Sequence, residues 1–270
     1  MSGLPGRAMW VGLAAIVAGA YAAVLALLWA SQERLIFMPQ PLPADHRFAF
    51  GADVHEAWID VPGARLHALH LRRPAPDGLV FFLHGNAGNL DGWFADVGFY
   101  RRANHDLYMP DYRGYGKSTG RIDGEAQLHA DVRAAWAAVA PRYEGRRRVI
   151  VGQSLGAALA ASLAAEAQPD ALVLVAPYES GVALAAGYYP WVPRALLRYP
   201  LRTDEALARV TTPVWLIHGD ADDVIPFAHS ERLQRVAPHA MLVRVSGGGH
   251  NDLPAFAAYH DGLRAALGAR

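Results

Sequence analysis

The clearest candidate for a reactive side chain in this sequence is one serine that lies between two glycines. Ser154 lies in the pentapeptide GQSLG (152–156), where a β-branched apolar run ends and an alanine-rich segment begins. The pattern G-x-S-x-G between a strand and a helix forms a sharp turn that exposes the serine hydroxyl. Small flanking residues are needed because the backbone passes close to its neighbours there. Ser154 is therefore a candidate nucleophile.

A serine hydroxyl is a weak nucleophile at neutral pH, so it needs a base and a group that orients the base. Of the twelve histidines, His250 has the best position, because it lies in the glycine-rich segment SGGGHND directly after the last predicted strand. The acid is expected between the serine and the histidine. There the segment WLIHGDADDVIP supplies Asp220, Asp222 and Asp223, and spacing alone does not separate the three.

The segment FFLHGNAGNL (81–90) is a candidate for stabilising negative charge. Its glycines and asparagines follow an apolar strand, and such a loop can turn a backbone N–H toward the serine. A plain strand-to-helix turn is the alternative. A metal site at His84 is not expected, because no second histidine or carboxylate stands at ligand spacing nearby. The later segment DYRGYGKS is not a phosphate-binding loop, because it has Asp111 where that loop needs glycine. No metal or cofactor is expected.

The composition excludes several classes of function. A chain of 270 residues can form one large domain with a sizeable core. Lys plus Arg and Asp plus Glu are balanced at 25 each, which argues against a nucleic-acid partner. Because cysteine is absent, thiol catalysis, disulfides and Cys-ligated zinc are excluded.

The N-terminal segment AMWVGLAAIVAGAYAAVLALLWA (8–30) contains no charged residue. As a helix it would span roughly 34 Å, enough to cross a bilayer core of about 30 Å. A cleaved signal peptide is disfavoured because bulky Leu28 or Trp29 would stand three residues before the cut. A buried core helix is disfavoured because the segment has no polar face. The sequence predicts an uncleaved anchor over residues 1–34.

The charges that flank the anchor hardly decide its orientation. Arg7 precedes the apolar segment, and Glu33, Arg34 and Arg47 follow it. A single N-terminal anchor with a short tail usually leaves that tail in the cytoplasm. We therefore expect a single-pass membrane protein whose catalytic domain lies on the non-cytoplasmic side.

A proline-rich linker (35–54) precedes a catalytic domain at 55–270 that alternates strands and helices. The first two strand-like runs alternate apolar and polar residues across VPGA, which predicts a hairpin. Later runs are short and continuously apolar, as in a mostly parallel sheet covered on both faces. Predicted strands cover 56–61, 65–71, 79–83, 106–109, 149–151, 171–175, 214–217 and 241–245. Predicted helices cover 90–102, 125–140, 155–167, 228–236 and 254–267.

Residues 178–212 interrupt this alternation. They are rich in aromatic residues and proline, fit no strand and are too long for a plain connection. A short lid is predicted, and a surface excursion packed on its own side chains is the alternative.

In chain order, HGNAGN, DYRGYGKS, GQSLG, HGDADDVIP and GGGHND resemble the motifs of the α/β-hydrolase superfamily. Within it, the chain is similar to membrane-associated single-domain serine hydrolases, which include acyl-protein thioesterases (depalmitoylases) and many bacterial proteins. The resemblance runs from about residue 35 to the C-terminus. It implies the α/β-hydrolase fold: eight strands in a mostly parallel sheet with helices on both faces and a short lid, here joined to one N-terminal transmembrane helix.

The resemblance also implies roles for single residues. Asp222 matches the acid of the family pattern H-G-x-x-D-x-x-[IV]-P. Asn86 and Leu155 match the two backbone donors of the oxyanion hole. The cysteine cluster by which the eukaryotic thioesterases are lipidated is absent, so their preference for lipidated proteins does not transfer, and the predicted anchor can serve the same end.

Together these observations predict a serine hydrolase that cleaves carboxylic esters or thioesters. Ser154 would attack the carbonyl, His250 would carry the proton, Asp222 would orient the imidazole, and water would release the acyl-enzyme. The short apolar insertion favours small to medium acyl chains. A serine peptidase is the first alternative, with Glu179 as a weak candidate to bind a substrate amine. A non-catalytic binding protein of the same fold is the second, although it would be expected to lack one of the three residues.

Overall fold

Eight strands form one sheet in this computed structural model, which describes residues 6–268. Their spatial order is β1-β2-β4-β3-β5-β6-β7-β8. The β1–β2 hairpin and the β2–β4 pair are antiparallel, and all other neighbours are parallel. The strands are β1 (Val54–Val61), β2 (Ala64–Leu71), β3 (Gly78–Leu83), β4 (His105–Pro110), β5 (Arg147–Gln153), β6 (Ala171–Val175), β7 (Val214–Gly219) and β8 (Met241–Val245). The eight predicted strands and the mostly parallel sheet are confirmed.

Ten α-helices lie within the described residues. They are α1 (Arg7–Ala30), α2 (Gln32–Ile36), α3 (Leu90–Trp93), α4 (Val97–Arg102), α5 (Glu125–Val139), α6 (Leu155–Ala167), α7 (Gly181–Tyr188), α8 (Thr203–Leu207), α9 (Ala228–Val236) and α10 (Ala257–Leu267). The helix predicted at 90–102 is divided by a 3₁₀ turn, Phe94–Asp96. Since residues three apart align in a 3₁₀ turn, Phe94 and Val97 can both be buried.

Each face of the sheet carries its own apolar core. Phe81 and Leu83 belong to the core beneath α5 and α6, whereas Val80 and Phe82 belong to the core beneath α4 and α10. Because successive strand residues point to opposite faces, a strand covered on both sides must be apolar throughout. This explains the continuous apolar runs in the sequence.

The N-terminal helix α1 buries none of its residues against the rest of the described chain. Its 24 residues, with a mean hydropathy of 2.4 in the most apolar window, are long and apolar enough to cross a membrane. The exposure rules out the alternative of a buried core helix. Residues 1–5 of the predicted anchor, and residues 269–270 of the predicted domain, lie outside the described residues.

The insertion (residues 178–212) contains α7 and α8 and packs against the N-terminal helices. Gln32 donates to the carbonyl of Leu196 at 2.7 Å and accepts from the N–H of Arg198 at 2.8 Å. Glu33 accepts from the Tyr199 hydroxyl at 2.8 Å and pairs with Arg198 at 2.7 Å. The short helix α2 is therefore joined to the insertion by four polar contacts, and the Tyr21 hydroxyl of α1 adds a fifth by donating to the carbonyl of Trp191 at 2.7 Å.

The start of α6 lies directly against the end of β3. A Cβ atom added at Gly156 would lie 2.1 Å from the carbonyl oxygen of Leu83. No side chain fits at that distance, so glycine at 156 is required by the close approach of two backbones.

Gly156→Ala is expected to force α6 away from β3 and to lower the free energy of unfolding by about 1–3 kcal/mol, as overpacked sites do. The measurement is the thermal midpoint of the full chain in detergent, followed by tryptophan fluorescence. Gly187→Ala in α7 is the matched control, because a Cβ there would meet nothing within 4 Å. Equal midpoints for the two variants would contradict the requirement for glycine at 156.

Candidate active site

Ser154 occupies the turn between β5 and α6 with an unusual backbone conformation. Its φ of 53° and ψ of −116° are strained for a residue with a side chain. The turn is tied to the sheet because the N–H of Ser154 donates to the carbonyl of Val175 at 2.9 Å. The hydroxyl is thereby held at the carboxyl edge of the sheet.

Ser154, His250 and Asp222 come together at this edge. His250 Nε2 lies 3.1 Å from Ser154 Oγ, and His250 Nδ1 lies 2.8 Å from Asp222 Oδ2. His250 follows β8 and Asp222 follows β7, and adjacent parallel strands end at the same edge. Since a carboxylate can only accept, the His250 proton is assigned to Nδ1, which leaves the Nε2 lone pair to accept from the serine hydroxyl.

The three aspartates that spacing left open have different surroundings. Asp222 is buried and bonds His250, whereas Asp220 and Asp223 are exposed. Asp220 accepts from the N–H of Gly247 at 2.7 Å. Among the described residues, Asp222 is thus the one aspartate of the three in contact with His250.

Asp222 receives hydrogen bonds on both carboxylate oxygens. Oδ1 accepts from the N–H groups of Val224 and Ile225 at 2.9 and 2.7 Å, while Oδ2 accepts from His250 and, at 3.2 Å, from His218. Burial, the largest single influence, acts to raise the pKa of Asp222. The hydrogen bonds from His218, His250 and Ile225 outweigh it and hold that pKa well below its usual range.

His218 is a contact of the site that the sequence interpretation did not identify. Its ring is fully buried, its Nδ1 accepts from the Ser230 hydroxyl at 2.6 Å, and its Nε2 donates toward Asp222 and the carbonyl of Ile225. The available signal was its place four residues before Asp222 in HGDAD. The ring fixes the orientation of the carboxylate that bonds His250.

The β3 loop (residues 84–89) passes beside Ser154. A Cβ atom at Gly85 would lie 3.6 Å from the Cβ of Ser154. Within residues 6–268, the backbone N–H groups of Asn86 and Leu155 donate to no other group. Leu155 is also the first residue of α6, whose N-terminus favours negative charge. Two unused donors therefore flank the serine in the chain segments nearest to it.

The side chains of His84, the first residue of this loop, and of Asp111, directly after β4, are fully buried. The His84 Nε2 and the Asp111 Oδ1 are 3.3 Å apart. The described residues contain no group of three or more His, Asp or Glu side chains that could hold a metal ion.

One cavity lies near the carboxyl edge of the sheet, and another lies beside the insertion. One of about 250 Å³ includes Gln153 and Asn251, the chain neighbours of Ser154 and His250. The other, of about 300 Å³, lies between the insertion and the N-terminal helices and has a mainly apolar lining. Its lining includes Leu28, Trp29, Leu35, Ile36, Val182, Tyr189, Trp191 and Leu197.

Residues 74–203 match the family described as serine aminopeptidase S33, a hydrolase family. The matched range includes the β3 loop and Ser154 and ends before Asp222 and His250.

Curated relatives match most of the chain. An uncharacterized protein of Mycobacterium tuberculosis is 36% identical over 247 residues, which cover 88% of this chain and 87% of the relative. The human alpha/beta hydrolase domain-containing protein 17B is 33% identical over 213 residues, which cover 75% of this chain and 70% of the relative.

Solved structures share the fold at lower identity. An esterase of Pyrococcus furiosus superimposes with a TM-score of 0.70 at 16% identity, covering 86% of this chain and 97% of the esterase. A thioesterase domain of the curacin biosynthetic pathway gives 0.58 at 16% identity, covering 80% and 98%. With the sequence relatives, these matches establish that the chain belongs to the α/β-hydrolase superfamily, as a hydrolase related to the alpha/beta hydrolase domain-containing 17 proteins.

Proposed function

We propose that this protein is a serine hydrolase that cleaves carboxylic esters or thioesters through Ser154, His250 and Asp222. The observation that carries the proposal is the continuous chain of two hydrogen bonds, 3.1 Å from Ser154 to His250 and 2.8 Å from His250 to Asp222. This arrangement supplies a nucleophile, a base and a group that orients the base.

Each residue performs one step. His250 Nε2 takes the hydroxyl proton as Ser154 Oγ bonds to the carbonyl carbon, and the imidazolium then protonates the leaving alkoxide or thiolate. Water, deprotonated by His250, attacks the acyl-serine and releases the carboxylic acid. Asp222 stays ionised because its pKa is held low, so it stabilises the imidazolium without taking the proton.

The N–H groups of Asn86 and Leu155 stabilise the oxyanion. Support comes from the absence of another acceptor for either group within the described chain and from the closeness of the β3 loop to Ser154. Donors fixed in advance need no reorganisation as charge develops, and losing one costs about 10²–10³ in kcat in other enzymes.

Esters and thioesters of small to medium acyl chains are the favoured substrates. The apolar insertion beside the site supports this class, as do the esterase and thioesterase of the same fold. An aminopeptidase, the activity in the family description, has less support. Glu179, the candidate for binding a substrate amine, pairs with Arg232 at 2.5 Å.

We also propose that α1 is an uncleaved, single-pass membrane anchor, with the catalytic domain on the non-cytoplasmic side. Its length, its hydropathy and the absence of any buried residue along it support the anchor. The orientation is the one predicted from the sequence.

Wild-type protein is expected to hydrolyse p-nitrophenyl esters and acyl thioesters and to react covalently with a fluorophosphonate probe. Ser154→Ala should lose both activities, because the nucleophilic oxygen is gone. Ser162→Ala, in the same helix, is the matched control and should keep both. An unlabelled wild type, equal labelling of Ser154→Ala, or faster cleavage of aminoacyl p-nitroanilides than of esters would each contradict the proposal.

Asp222→Asn is expected to lower kcat/KM by roughly 10³–10⁴-fold, because an amide no longer enforces the productive tautomer of His250. For Asp220→Asn and Asp223→Asn, kcat/KM should remain within about threefold of wild type, since these exposed carboxylates do not contact His250. The measurement is p-nitrophenyl ester hydrolysis at a fixed pH. Similar losses in all three variants would overturn the assignment of Asp222.

The full chain is expected to stay in the membrane fraction of a bacterial host after alkaline carbonate extraction, with its N-terminal residues present by mass spectrometry. Val17→Arg with Ala20→Arg should release it, because each arginine at a helix centre costs about 2.5–3.5 kcal/mol of insertion energy. Ala52→Arg with Ala75→Arg, at exposed sites in the linker and in the catalytic domain, is the matched control.

Orientation is measured on the same material with C-terminal fusions. We expect the alkaline phosphatase fusion to be active and the green fluorescent protein fusion to be non-fluorescent, since each reporter works on only one side of the membrane. The reverse result would place the catalytic domain in the cytoplasm. A mature mass that lacks residues 1–30 would show a cleaved signal peptide in place of an anchor.

A further inference from the structure

Residues 36–42, here called the strap, run from the end of α2 across the β3 loop and the β4 loop (residues 111–118). The sequence places them in a proline-rich linker. In the structure, Pro39 bridges Gly88 and Pro41 bridges Gly116 as isolated parallel pairs. The strap is thus fastened to two loops at the carboxyl edge of the sheet.

The alternation of proline in MPQPLP explains why the strap bonds along one side. Prolines at 39, 41 and 43 have no N–H, so donors remain at 38, 40 and 42. All three are used on the loops. Gln40 donates to the carbonyl of Gly88 at 3.1 Å and Leu42 to that of Gly116 at 2.7 Å. The N–H of Met38 is shared between the Asn86 side chain and the Tyr115 hydroxyl, both at 3.2 Å.

The side chain of Asn86 is the centre of this fastening. Its Oδ1 accepts from the N–H of Met38 and, at 2.9 Å, from the hydroxyl of Tyr115, while its Nδ2 donates to the carbonyl of Ile36. Tyr115 is fully buried, and burial raises the pKa of its hydroxyl, so the phenol keeps its proton and donates. The polar atoms of the Asn86 side chain all face the strap or Tyr115.

The carbonyls of the strap complete the contact. Met38 accepts from the N–H of Gly88 at 3.3 Å, and Gln40 accepts from the N–H of Gly116 at 3.2 Å and from the Asn89 side chain at 2.9 Å. The β3 loop is thereby held through the side chains of Asn86 and Asn89 and through the backbone of Gly88, while the N–H of Asn86 donates to none of the described residues.

We propose that the strap is a positioning element for oxyanion stabilisation, with the N–H of Met38 and the hydroxyl of Tyr115 as positioning groups that act through the Asn86 side chain. The inference rests on the proposed function. An oxyanion donor is effective only when it lies about 2.7–3.1 Å from the developing charge. A loosened β3 loop would therefore reduce the stabilisation of the transition state more than it reduces the binding of the ester.

Met38→Pro tests the proposal, because it removes one N–H. Phe37, the residue before it, already has the extended backbone (φ −99°, ψ 130°) that proline requires of its neighbour. Met38→Ala is the matched control, since it keeps the N–H and removes a side chain that is 55% exposed. We expect kcat for p-nitrophenyl ester hydrolysis to fall about tenfold in Met38→Pro, with KM within about threefold, and both constants to be unchanged in Met38→Ala.

Tyr115→Phe is the second variant and is expected to lower kcat by a similar factor with KM kept. Tyr143→Phe is its control. That hydroxyl is also buried and bonded, to His70 and Asp106, but it precedes β5 at the opposite end from Ser154. The control should lower the thermal midpoint and leave kcat unchanged. Because both groups bond Asn86 and also contact each other, the effects of Met38→Pro and Tyr115→Phe should be less than additive in the double variant.

All rates are measured on the full chain in detergent and are divided by the concentration of sites that a fluorophosphonate titrates. A wild type without a titratable serine would overturn the proposed function. A titratable wild type whose Met38→Pro and Tyr115→Phe variants keep kcat per titrated site, whatever their thermal midpoints, would overturn the role of the strap alone.

Discussion

The contact between the start of α6 and the carbonyl of Leu83 is the constraint on which the site depends. A methyl group at position 156 would lie 2.1 Å from that oxygen, so the two backbones meet without a side chain between them. This closeness brings the turn that carries Ser154 beside the β3 loop. The strained φ of Ser154 is tolerated for two reasons. The N–H of Ser154 is bonded to β6, and the helix that follows it, α6, packs on β5 and β6.

The fold and most of the candidate site could be predicted from local sequence patterns. The first two strands are recognisable from alternating apolar and polar residues and the later ones from short apolar runs. Ser154 and His250 stand at strand ends whose positions follow from those runs. Asp222 could be chosen from three aspartates only through a family pattern, because its burial depends on how the loop after β7 folds. The bonds of His218 to Ser230 and Asp222 depend on the same packing.

The structure of the strap could not be predicted from its amino-acid composition. Three prolines in six residues have no propensity for a strand or a helix, and this composition is typical of a linker. Its structure is determined by partners far away in the chain, at residues 86–89 and 115–116. Since α2 lies between the apolar helix and the strap, and also bonds the insertion, the N-terminal segment is integrated with the hydrolase fold.

The alternating prolines have a further consequence for contacts between copies of this protein. A strand that lies along the outside of a domain usually presents free N–H groups to which another chain can add. In the strap, the positions between the bonded N–H groups are Pro39 and Pro41, so that side offers no donors to a neighbouring strand. The strap therefore protects the loops beside the site from edge-to-edge pairing with another chain.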